Sequence, residues 1–144
     1  MVDNAQLTEL FPYAHFHAEW NLVTWHPEGI LDNERADRVV EFLEMQEAAG
    51  CPPFHRFVDM TGYSRIRIDL DHVVRLVIRR KRRYHGPPVK SALYAVRLLT
   101  VGVAHMYQEL MEGSPILVAT FRDRPAAADW LGVPESVLIA PKSP

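Results

Sequence analysis

The sequence has little of what marks secreted, membrane-spanning or disulfide-stabilised proteins. Its 144 residues include one cysteine, Cys51, which excludes an intramolecular disulfide and fits a reducing cytoplasm. No apolar run approaches the roughly 20 residues that a membrane-spanning helix needs. The first ten residues carry Asp3 and Glu9 but no basic residue, so they do not have the charged start of a secretory signal. We therefore expect a cytoplasmic protein with no membrane span.

The sequence also lacks the motifs that mark catalysis or phosphate binding. Its seven glycines are scattered at predicted turns, and neither Gly-x-Gly-x-x-Gly nor Gly-x-Ser-x-Gly occurs. We recognise no nucleophile with a base and no paired carboxylates. Asp59, at the end of a predicted strand, is a site candidate by position alone. We therefore expect a protein that is not an enzyme and needs no cofactor.

The composition that is present is that of one ordinary domain. Hydrophobic residues make up 48% of the chain and charged residues 24%. A chain of this length buries about two thirds of the surface that it exposes when unfolded, so a core needs no disulfide or metal to hold it. We predict a leader over residues 1–13, a single domain over 14–133 and a tail over 134–144.

Charge is distributed unevenly along the chain. Residues 1–55 hold ten acidic and two basic side chains, a net charge of -8, whereas residues 56–97 hold eleven basic and three acidic ones, a net charge of +8. The remainder carries -2, which gives the total of -2. Segments of opposite charge indicate self-association or a charged partner if they occupy different faces, but they neutralise each other if folding places them side by side. The sequence leaves both interpretations open.

The first third of the sequence predicts two strands and a helix. Residues 14–25 alternate between apolar and polar side chains, with Asn21 as the expected turn between the strands. The apolar members of the first strand are Phe16, Ala18 and Trp20. Asp32 is well suited to cap a helix that extends to about Ala49, because its carboxylate can accept hydrogen bonds from free N–H groups of the first turn.

The middle of the sequence predicts a strand over residues 56–60 and a helix over 69–84. The predicted inward face of this helix follows the spacing of three and four, and its residues are Leu70, Val73, Val74, Val77, Ile78 and Tyr84. The opposite face carries Arg75, Arg79, Arg82 and Arg83. The second helix should therefore be amphipathic and cationic.

The last third continues the alternation of strands and helices. We predict a strand over residues 91–96, a helix over 99–112, a strand over 116–121 and a short helix capped by Asp123 and ending at Leu131. This order predicts an α/β sandwich with about four helices and a mixed sheet of about five strands, mostly parallel.

Three short motifs flank the predicted helices. Residues 29–32 (Gly-Ile-Leu-Asp) lead into the first helix, and residues 57–62 (Phe-Val-Asp-Met-Thr-Gly) lead into the second. Residues 121–131 end the domain with a pattern similar to Asp-x-x-x-Ala-x-x-Trp-Leu. With this order and spacing, the chain resembles the STAS domains, the fold of bacterial anti-sigma-factor antagonists, over about residues 14–133. It resembles more closely their stand-alone relatives, which share a fold superfamily with the CRAL-TRIO lipid-transfer domains.

The resemblance implies a STAS-like fold and a module for protein interaction or ligand sensing rather than an enzyme. In anti-sigma-factor antagonists, a partner kinase phosphorylates a serine at the start of the second helix. The corresponding residues 65–71 of this chain contain no serine or threonine. Thr61 and Ser64 lie in the same predicted loop, but nothing in the sequence singles them out for phosphorylation.

The run of five cations at residues 79–83 has two interpretations. It could contact the phosphates of nucleic acid, nucleotide or lipid head groups. Alternatively, the helix exposes a solvated cationic face, with arginines near its C-terminus that suit the helix dipole. We favour the second interpretation, and the interleaved aromatic residues that a single-strand binder uses for stacking are missing. Nucleic-acid binding is therefore the least favoured function.

We predict a homodimer whose second helix and preceding loop form the partner surface. Its candidate residues are Asp59, Thr61, Tyr63, Ser64, Arg65, Arg67, Asp69, Arg75, Arg79, Arg82 and Arg83. The alternative function is binding of a small apolar or anionic ligand such as a lipid, in a pocket that residues of predicted helices and strands could line. Those residues are Trp25, Phe42, Met106, Tyr107 and Met111, although such side chains are more often plain core.

Histidines suggest a metal site only weakly. His15 and His17 lie two residues apart, so a strand would place both rings on one face. A third ligand could be guessed only among Glu19, His26 and His105. We therefore predict no metal site.

Overall fold

A five-stranded mixed sheet forms the centre of the fold in the computed structural model, which describes residues 1–140. The seven strands within this range are β1 (Ala14–His17), β2 (Leu22–Trp25), β3 (Gly29–Asp32), β4 (His55–Asp59), β5 (Tyr63–Arg67), β6 (Val89–Tyr94) and β7 (Ile116–Phe121). The sheet has the order β1-β2-β4-β6-β7, in which β1 is antiparallel to β2 and the other pairs are parallel. The predicted α/β class and mostly parallel sheet are confirmed.

In the part of the chain that the structure describes, five helices accompany the strands: α1 (Asn4–Leu10), α2 (Asn33–Ala48), α3 (Leu70–Arg83), α4 (Leu98–Leu110) and α5 (Arg124–Leu131). The chain moves in one direction across the sheet from β2 to β7, so right-handed crossovers place α2, α3 and α4 on one face. Helix α5 and the short turn Glu135–Leu138 pack on the other face. No helix among residues 1–140 is long and apolar enough to cross a membrane.

The helix caps follow from local sequence. The Asp32 carboxylate accepts a hydrogen bond from the Arg35 amide at 2.9 Å, and Asp123 accepts one from the Ala126 amide at 2.8 Å. Gly132 ends α5 with φ of 74°, a conformation that suits glycine. Both predicted N-caps are confirmed.

Strand β4 contributes side chains to both layers of the core, because they alternate between the two faces of the sheet. Phe57 is 0% exposed and packs with the residues of α5, whereas Val58 packs on the side of α4. Arg56 lies on the same side as Val58, since it is one residue from Phe57. An arginine therefore points between the sheet and the layer of α2, α3 and α4.

The first predicted strand was wrong beyond His17. Ala18–Trp20 form a turn of 3-10 helix, which ends at Asn21 with φ of 49°, and Trp20 is 37% exposed. The alternation of apolar residues continues into this turn, so the pattern alone did not show where the strand stops. The structure also adds β3 and β5, which form a separate two-stranded parallel sheet that the sequence did not predict.

The predicted inward face of α3 was wrong at three positions. The exposed fractions of Leu70, Val74 and Ile78 are 60%, 37% and 44%, while Arg80 is only 2% exposed. Val73 and Val77 are buried as predicted. The helix presents Arg80 to the interior because acidic residues of α2 lie there to pair with it.

The chain ends contribute to the packing. Residues 1–13, predicted as a leader, contain α1, whose Leu7 is 1% exposed and packs in a cluster with Phe11 and Phe42. In the predicted tail, Leu138 is 0% exposed beneath the sheet. The last part of that tail, residues 141–144, lies outside the described residues.

Candidate functional site

The acidic and basic segments of the chain meet where α2 packs against α3. The Nε atom of Arg79 donates hydrogen bonds to both carboxylate oxygens of Glu44, at 2.9 and 3.2 Å, and Arg83 donates to the same carboxylate at 2.9 Å. Arg80 forms a bidentate pair with Glu47, with N–O distances of 3.0 and 2.6 Å. These five residues form the α2–α3 ion-pair interface. Of the two interpretations of the uneven charge, the structure shows mutual neutralisation within one chain.

Glu44 is the centre of this interface, and its side chain is 13% exposed. Burial by itself raises the pKa of the Glu44 carboxyl, but the hydrogen bonds and charges of Arg79 and Arg83 outweigh burial and hold that pKa below its ordinary value. Two arginines of the predicted partner surface are thus engaged inside the protomer. A partner would have to compete with Glu44 for them.

Four other arginines of the predicted partner surface are exposed. Arg65 and Arg67 lie on β5, and Arg75 and Arg82 lie on the outer side of α3. Within residues 1–140, none of the four forms an ion pair. Their charges therefore remain available to another molecule.

Asp59 ends β4 and is held by its neighbours. The amide and the hydroxyl of Thr61 donate to Oδ1 at 3.0 and 2.6 Å, and His26 Nδ1 lies 3.1 Å from Oδ2. Burial raises the pKa of the Asp59 carboxyl, but these hydrogen bonds together hold it below its ordinary value. Asp59 thus stabilises the turn Met60–Gly62, a local role that an aspartate after a strand often has.

The remaining residues of the predicted loop surface have structural partners. Tyr63 is 3% exposed, and burial raises the pKa of its hydroxyl. Ser64 Oγ donates to the carbonyl of Gly29 at 3.2 Å. The amide of Asp69 donates to Asn33 at 2.9 Å, and the Asn33 amide group donates back to the Asp69 carboxylate at 3.0 Å. This exchange ties the start of α3 to the start of α2.

An interior cleft of about 180 Å³ lies between the sheet and the layer of α2, α3 and α4. Its walls are mostly apolar, and they include Leu43, Val58, Val73, Leu93, Ala104 and Tyr107. Arg35, Arg56 and Arg80 also line it. An apolar cleft with a few convergent polar groups is the common form of a small-molecule site.

Arg56 is the unusual residue of the interior cleft. Its Nε atom is fully buried and makes no hydrogen bond to any residue between 1 and 140, and its guanidinium forms no ion pair in that range. Arg56 as a whole is half-buried, and it lines the interior cleft and two smaller cavities. Burial lowers the pKa of this guanidinium, while the charge of Glu47 acts to raise it. The buried Nε–H is therefore the part of the cation that no group among residues 1–140 satisfies.

A stacking contact does not compensate for this burial. The Arg56 guanidinium lies 5.6 Å from the centroid of the Phe54 ring. A cation–π contact contributes up to about 2 kcal/mol, whereas desolvating an ion in a protein costs several kcal/mol. The interior cleft therefore presents an uncompensated cation that an anion would stabilise.

The charges and hydroxyls around Arg56 define what the site can bind. Arg80 pairs with Glu47 and Arg35 donates to the Glu28 carbonyl, so Arg56 is the cleft arginine whose Nε has no partner among residues 1–140. Burial raises the pKa of the Tyr107 hydroxyl, although the charges of Arg56 and Arg80 act to lower it. The Tyr107 hydroxyl is therefore protonated at neutral pH and can donate a hydrogen bond. The site combines a cation, a hydroxyl donor and apolar walls.

An outer cleft of about 360 Å³ adjoins the interior cleft. It lies near the start of α2, and its lining includes Tyr13, Pro27 and Arg38. Trp25 and Arg35 line both clefts, so these two side chains stand at the boundary between them. The Trp25 ring packs edge-on against Phe11, with ring centroids 5.4 Å apart. The two clefts are therefore neighbours with a common wall at Trp25 and Arg35.

Comparison with known proteins shows how far the chain differs from described families. No protein-family model matches it, and no curated protein matches it. Among solved structures, the chain is similar to an uncharacterised DUF3478-family protein from Shewanella loihica PV-4, which is described as having a SpoIIAA-like fold. The two share 17% sequence identity with a TM-score of 0.48, over 76% of this chain and 83% of the other. A similarity of this degree assigns no family and no function to the chain.

The sequence predicted only part of the interior cleft. Trp25 and Tyr107 line it as the ligand hypothesis suggested, whereas Phe42 lines a smaller adjoining cavity and Met106 and Met111 pack in the hydrophobic cluster beside Tyr107. Arg56 was missed, although a signal was present. Parallel strands are usually buried on both faces, so an arginine in the middle of one deserves a search for its counter-ion.

The histidines of β1 have local explanations. The rings of His15 and His17 lie 4.7 Å apart, and His17 Nε2 is 2.9 Å from the Thr24 hydroxyl. Burial and the neighbouring His15 lower the pKa of His17. Within residues 1–140, no group of three or more side chains is placed to hold a metal ion.

Proposed function

We propose that this protein is a non-enzymatic, STAS-like module that binds a small amphipathic anion in its interior cleft. The observation that carries the proposal is the buried guanidinium of Arg56, which has no counter-ion among residues 1–140 and lines an apolar cavity. A ligand with an anionic group and an apolar body would compensate the charge and cover the walls. Binding, rather than turnover, is the role that these groups can perform.

A thermal-shift experiment tests the proposal. Octanoate, hexadecanoate and phenyl phosphate serve as anionic probes, and octanol serves as a neutral one. We expect at least one anion to raise the Tm of the wild-type protein, by about 2–4 °C for each kcal/mol of binding free energy, because it binds only the folded state. Octanol should have little effect.

Two variants localise that effect. Arg56→Met should abolish the shift, since it removes the cation but keeps an apolar side chain of similar length. Arg82→Met is the matched control, because Arg82 is an exposed arginine without an ion pair among residues 1–140, and it should keep the full shift. The proposal is rejected if no anion shifts the wild-type Tm, or if Arg56→Met responds as the wild type does.

A second candidate function is self-association through the outer side of α3. Leu70, Val74 and Ile78 recur at every fourth residue and are all substantially exposed, which forms an apolar stripe on this helix. Asp71 lies near the start of the helix and Arg82 near its end. An antiparallel pair of α3 helices around a two-fold axis would therefore place opposite charges across from each other. The fitting occupant of this stripe is a second copy of the chain.

Light scattering on the purified protein tests this second function. We expect the mass of a dimer for the wild type and of a monomer for Ile78→Glu, which introduces a charge into the stripe. Leu117→Glu is the control, because Leu117 is also exposed, at 45%, but lies on β7. A monomeric wild type, or an Ile78→Glu variant that remains dimeric, would reject the dimer.

A further inference from the structure

We infer that the ligand of the interior cleft is a small monocarboxylate, whose carboxylate pairs with Arg56 and whose aromatic or short aliphatic body lies against the apolar walls. This inference rests on the proposed function, because it names the chemical class that the cleft would hold. Three observations support it: the number of unmatched charges, the donors that face the cleft and the volume of the cavity.

The charge of the site limits the charge of the ligand. Arg80 pairs with Glu47, and Arg79 and Arg83 share Glu44, so these three arginines already have partners. Of the other two arginines that line the cleft, Arg35 donates to the Glu28 carbonyl at the boundary with the outer cleft, whereas Arg56 has no ion pair and its Nε makes no hydrogen bond among residues 1–140. One buried positive charge compensates one negative charge, whereas the second charge of a phosphate monoester would be left unpaired in an apolar cavity. The site therefore favours a monoanion.

The donors favour a planar headgroup. A guanidinium presents N–H groups in a fork that matches the two oxygens of a carboxylate. The buried Nε atom of Arg56 has no acceptor among the described residues, so a ligand oxygen would satisfy it. The Tyr107 hydroxyl is a second donor on the same cavity wall, because burial keeps it protonated. A carboxylate accepts from both groups and also neutralises the cation, which the uncharged oxygen of an alcohol does not.

The volume of the cavity limits the length of the ligand. The interior cleft holds about 180 Å³. An apolar protein cavity of about 150 Å³ is known to bind benzene, so this cleft fits roughly seven to ten non-hydrogen atoms. Benzoate, hexanoate and octanoate have this size, but a long-chain fatty acid does not. The small adjoining cavities at Phe42 and at Cys51, of about 60 and 10 Å³, are too small to hold the rest of such a chain.

The outer cleft adjoins the interior cleft that would hold the ligand. Trp25 and Arg35 line both clefts, and the outer one also carries Glu28 and Arg38 at its rim. Its walls also include Leu10, Phe11 and Tyr13, so hexadecanoate is the probe that shows whether a longer tail stays in the outer cleft. The carboxylate itself should lie beyond Trp25, against the sheet, because Arg56 is on β4.

Isothermal titration calorimetry with a panel of probes tests the inference on the full chain. Benzyl alcohol and phenyl phosphate vary the charge at constant ring size, and butanoate, octanoate and hexadecanoate vary the chain length. We expect benzoate and octanoate to bind at least about tenfold more tightly than benzyl alcohol, phenyl phosphate, butanoate and hexadecanoate. Arg56→Met should weaken benzoate binding by at least about tenfold, and Arg82→Met should leave it unchanged.

A measurement on the wild-type chain keeps the test independent of how the variants fold. In a ¹H–¹⁵N spectrum, benzoate should shift the Nε–H signal of Arg56 and the indole signal of Trp25, while benzyl alcohol should leave the Arg56 signal in place. An unchanged Arg56 signal with saturating benzoate would overturn the inference.

The outcomes separate this inference from the proposed function. Tighter binding of hexadecanoate than of octanoate, or of phenyl phosphate than of benzoate, would overturn the small monocarboxylate but leave the amphipathic anion in place if Arg56→Met removes that binding. Binding of none of the anions to the wild type would overturn both.

Discussion

Two regions on the same side of the sheet each contain an interior arginine, but only one of the two arginines has a carboxylate partner in the described part of the chain. At the α2–α3 ion-pair interface, Arg80 is 2% exposed and has a bidentate carboxylate partner in Glu47. In the interior cleft, Arg56 has an aromatic neighbour but no carboxylate among residues 1–140. In the first region, each arginine has a carboxylate partner within the same chain. In the second region, only a bound ligand would give Arg56 such a partner. The comparison teaches that burial alone does not show what a charged side chain does, because the partner decides it.

The largest expected effect comes from removing Arg80 from the α2–α3 ion-pair interface. Arg80→Met should destabilise the protein by about 3 kcal/mol, because it removes the bidentate partner of the partly buried Glu47. Urea unfolding at neutral pH measures the change. Arg82→Met, two residues along the same helix but exposed, should stay within about 0.5 kcal/mol of the wild type. Equal effects of the two variants would show that the Arg80 pair does not hold α2 against α3.

A substitution in the interior cleft should not lower the free energy of unfolding. Arg56→Met should leave the free energy of unfolding unchanged or raise it by about 1–2 kcal/mol in the absence of ligand, since it replaces an uncompensated buried charge with an apolar side chain. The same urea titration measures it. A loss of stability similar to that of Arg80→Met would mean that Arg56 has a counter-ion after all, and the contrast between the regions would disappear.

The smallest expected effect concerns Glu44 and its dependence on pH. Because the pKa of the folded-state carboxyl is lowered, Glu44 contributes stability above its unfolded pKa of about 4.3, and that contribution is lost as the pH falls through the folded-state pKa. Glu44→Gln should cost about 1 kcal/mol at neutral pH, and the difference from the wild type should shrink as the solution is acidified.

Unfolding curves between about pH 7 and about pH 3 measure this difference. Glu34→Gln is the control, because Glu34 pairs with Arg38 at 2.6 Å but is 73% exposed. Its pH dependence should remain close to that of the wild type. A Glu44→Gln variant whose deficit is the same at all pH values would show that the carboxylate charge is not what holds Arg79 and Arg83.

Much of the fold could be predicted from residues that act locally. Asp32 and Asp123 cap the helices that follow them, and the strand at residues 116–121 has the predicted bounds. These features depend on hydrogen bonds and alternation over a few residues. The turn after His17 and the exposed stripe of α3 could not be predicted, since apolar periodicity does not show which apolar side chains the rest of the molecule covers.

The candidate site was predicted less well, for a physical reason. Trp25 and Tyr107 were recognised as residues that could line a pocket, but their relation to Arg56 depends on bringing β2, β4 and α4 together. The exposed Arg65, Arg67, Arg75 and Arg82 remain a predicted partner surface that no contact within residues 1–140 uses.

The sequence by itself determined the order of the five strands of the central sheet and of helices α2 to α5, two capped helix starts and the separation of charge into an acidic and a basic segment. Only the tertiary structure decided that those segments neutralise each other, because Glu44 and Arg79 are 35 residues apart in the chain and meet only when α2 packs on α3. The tertiary structure also decided which interior arginine has no carboxylate partner among residues 1–140. Carboxylates from α2 reach Arg79, Arg80 and Arg83, but Arg56 points from the sheet into a cavity that no carboxylate of residues 1–140 enters.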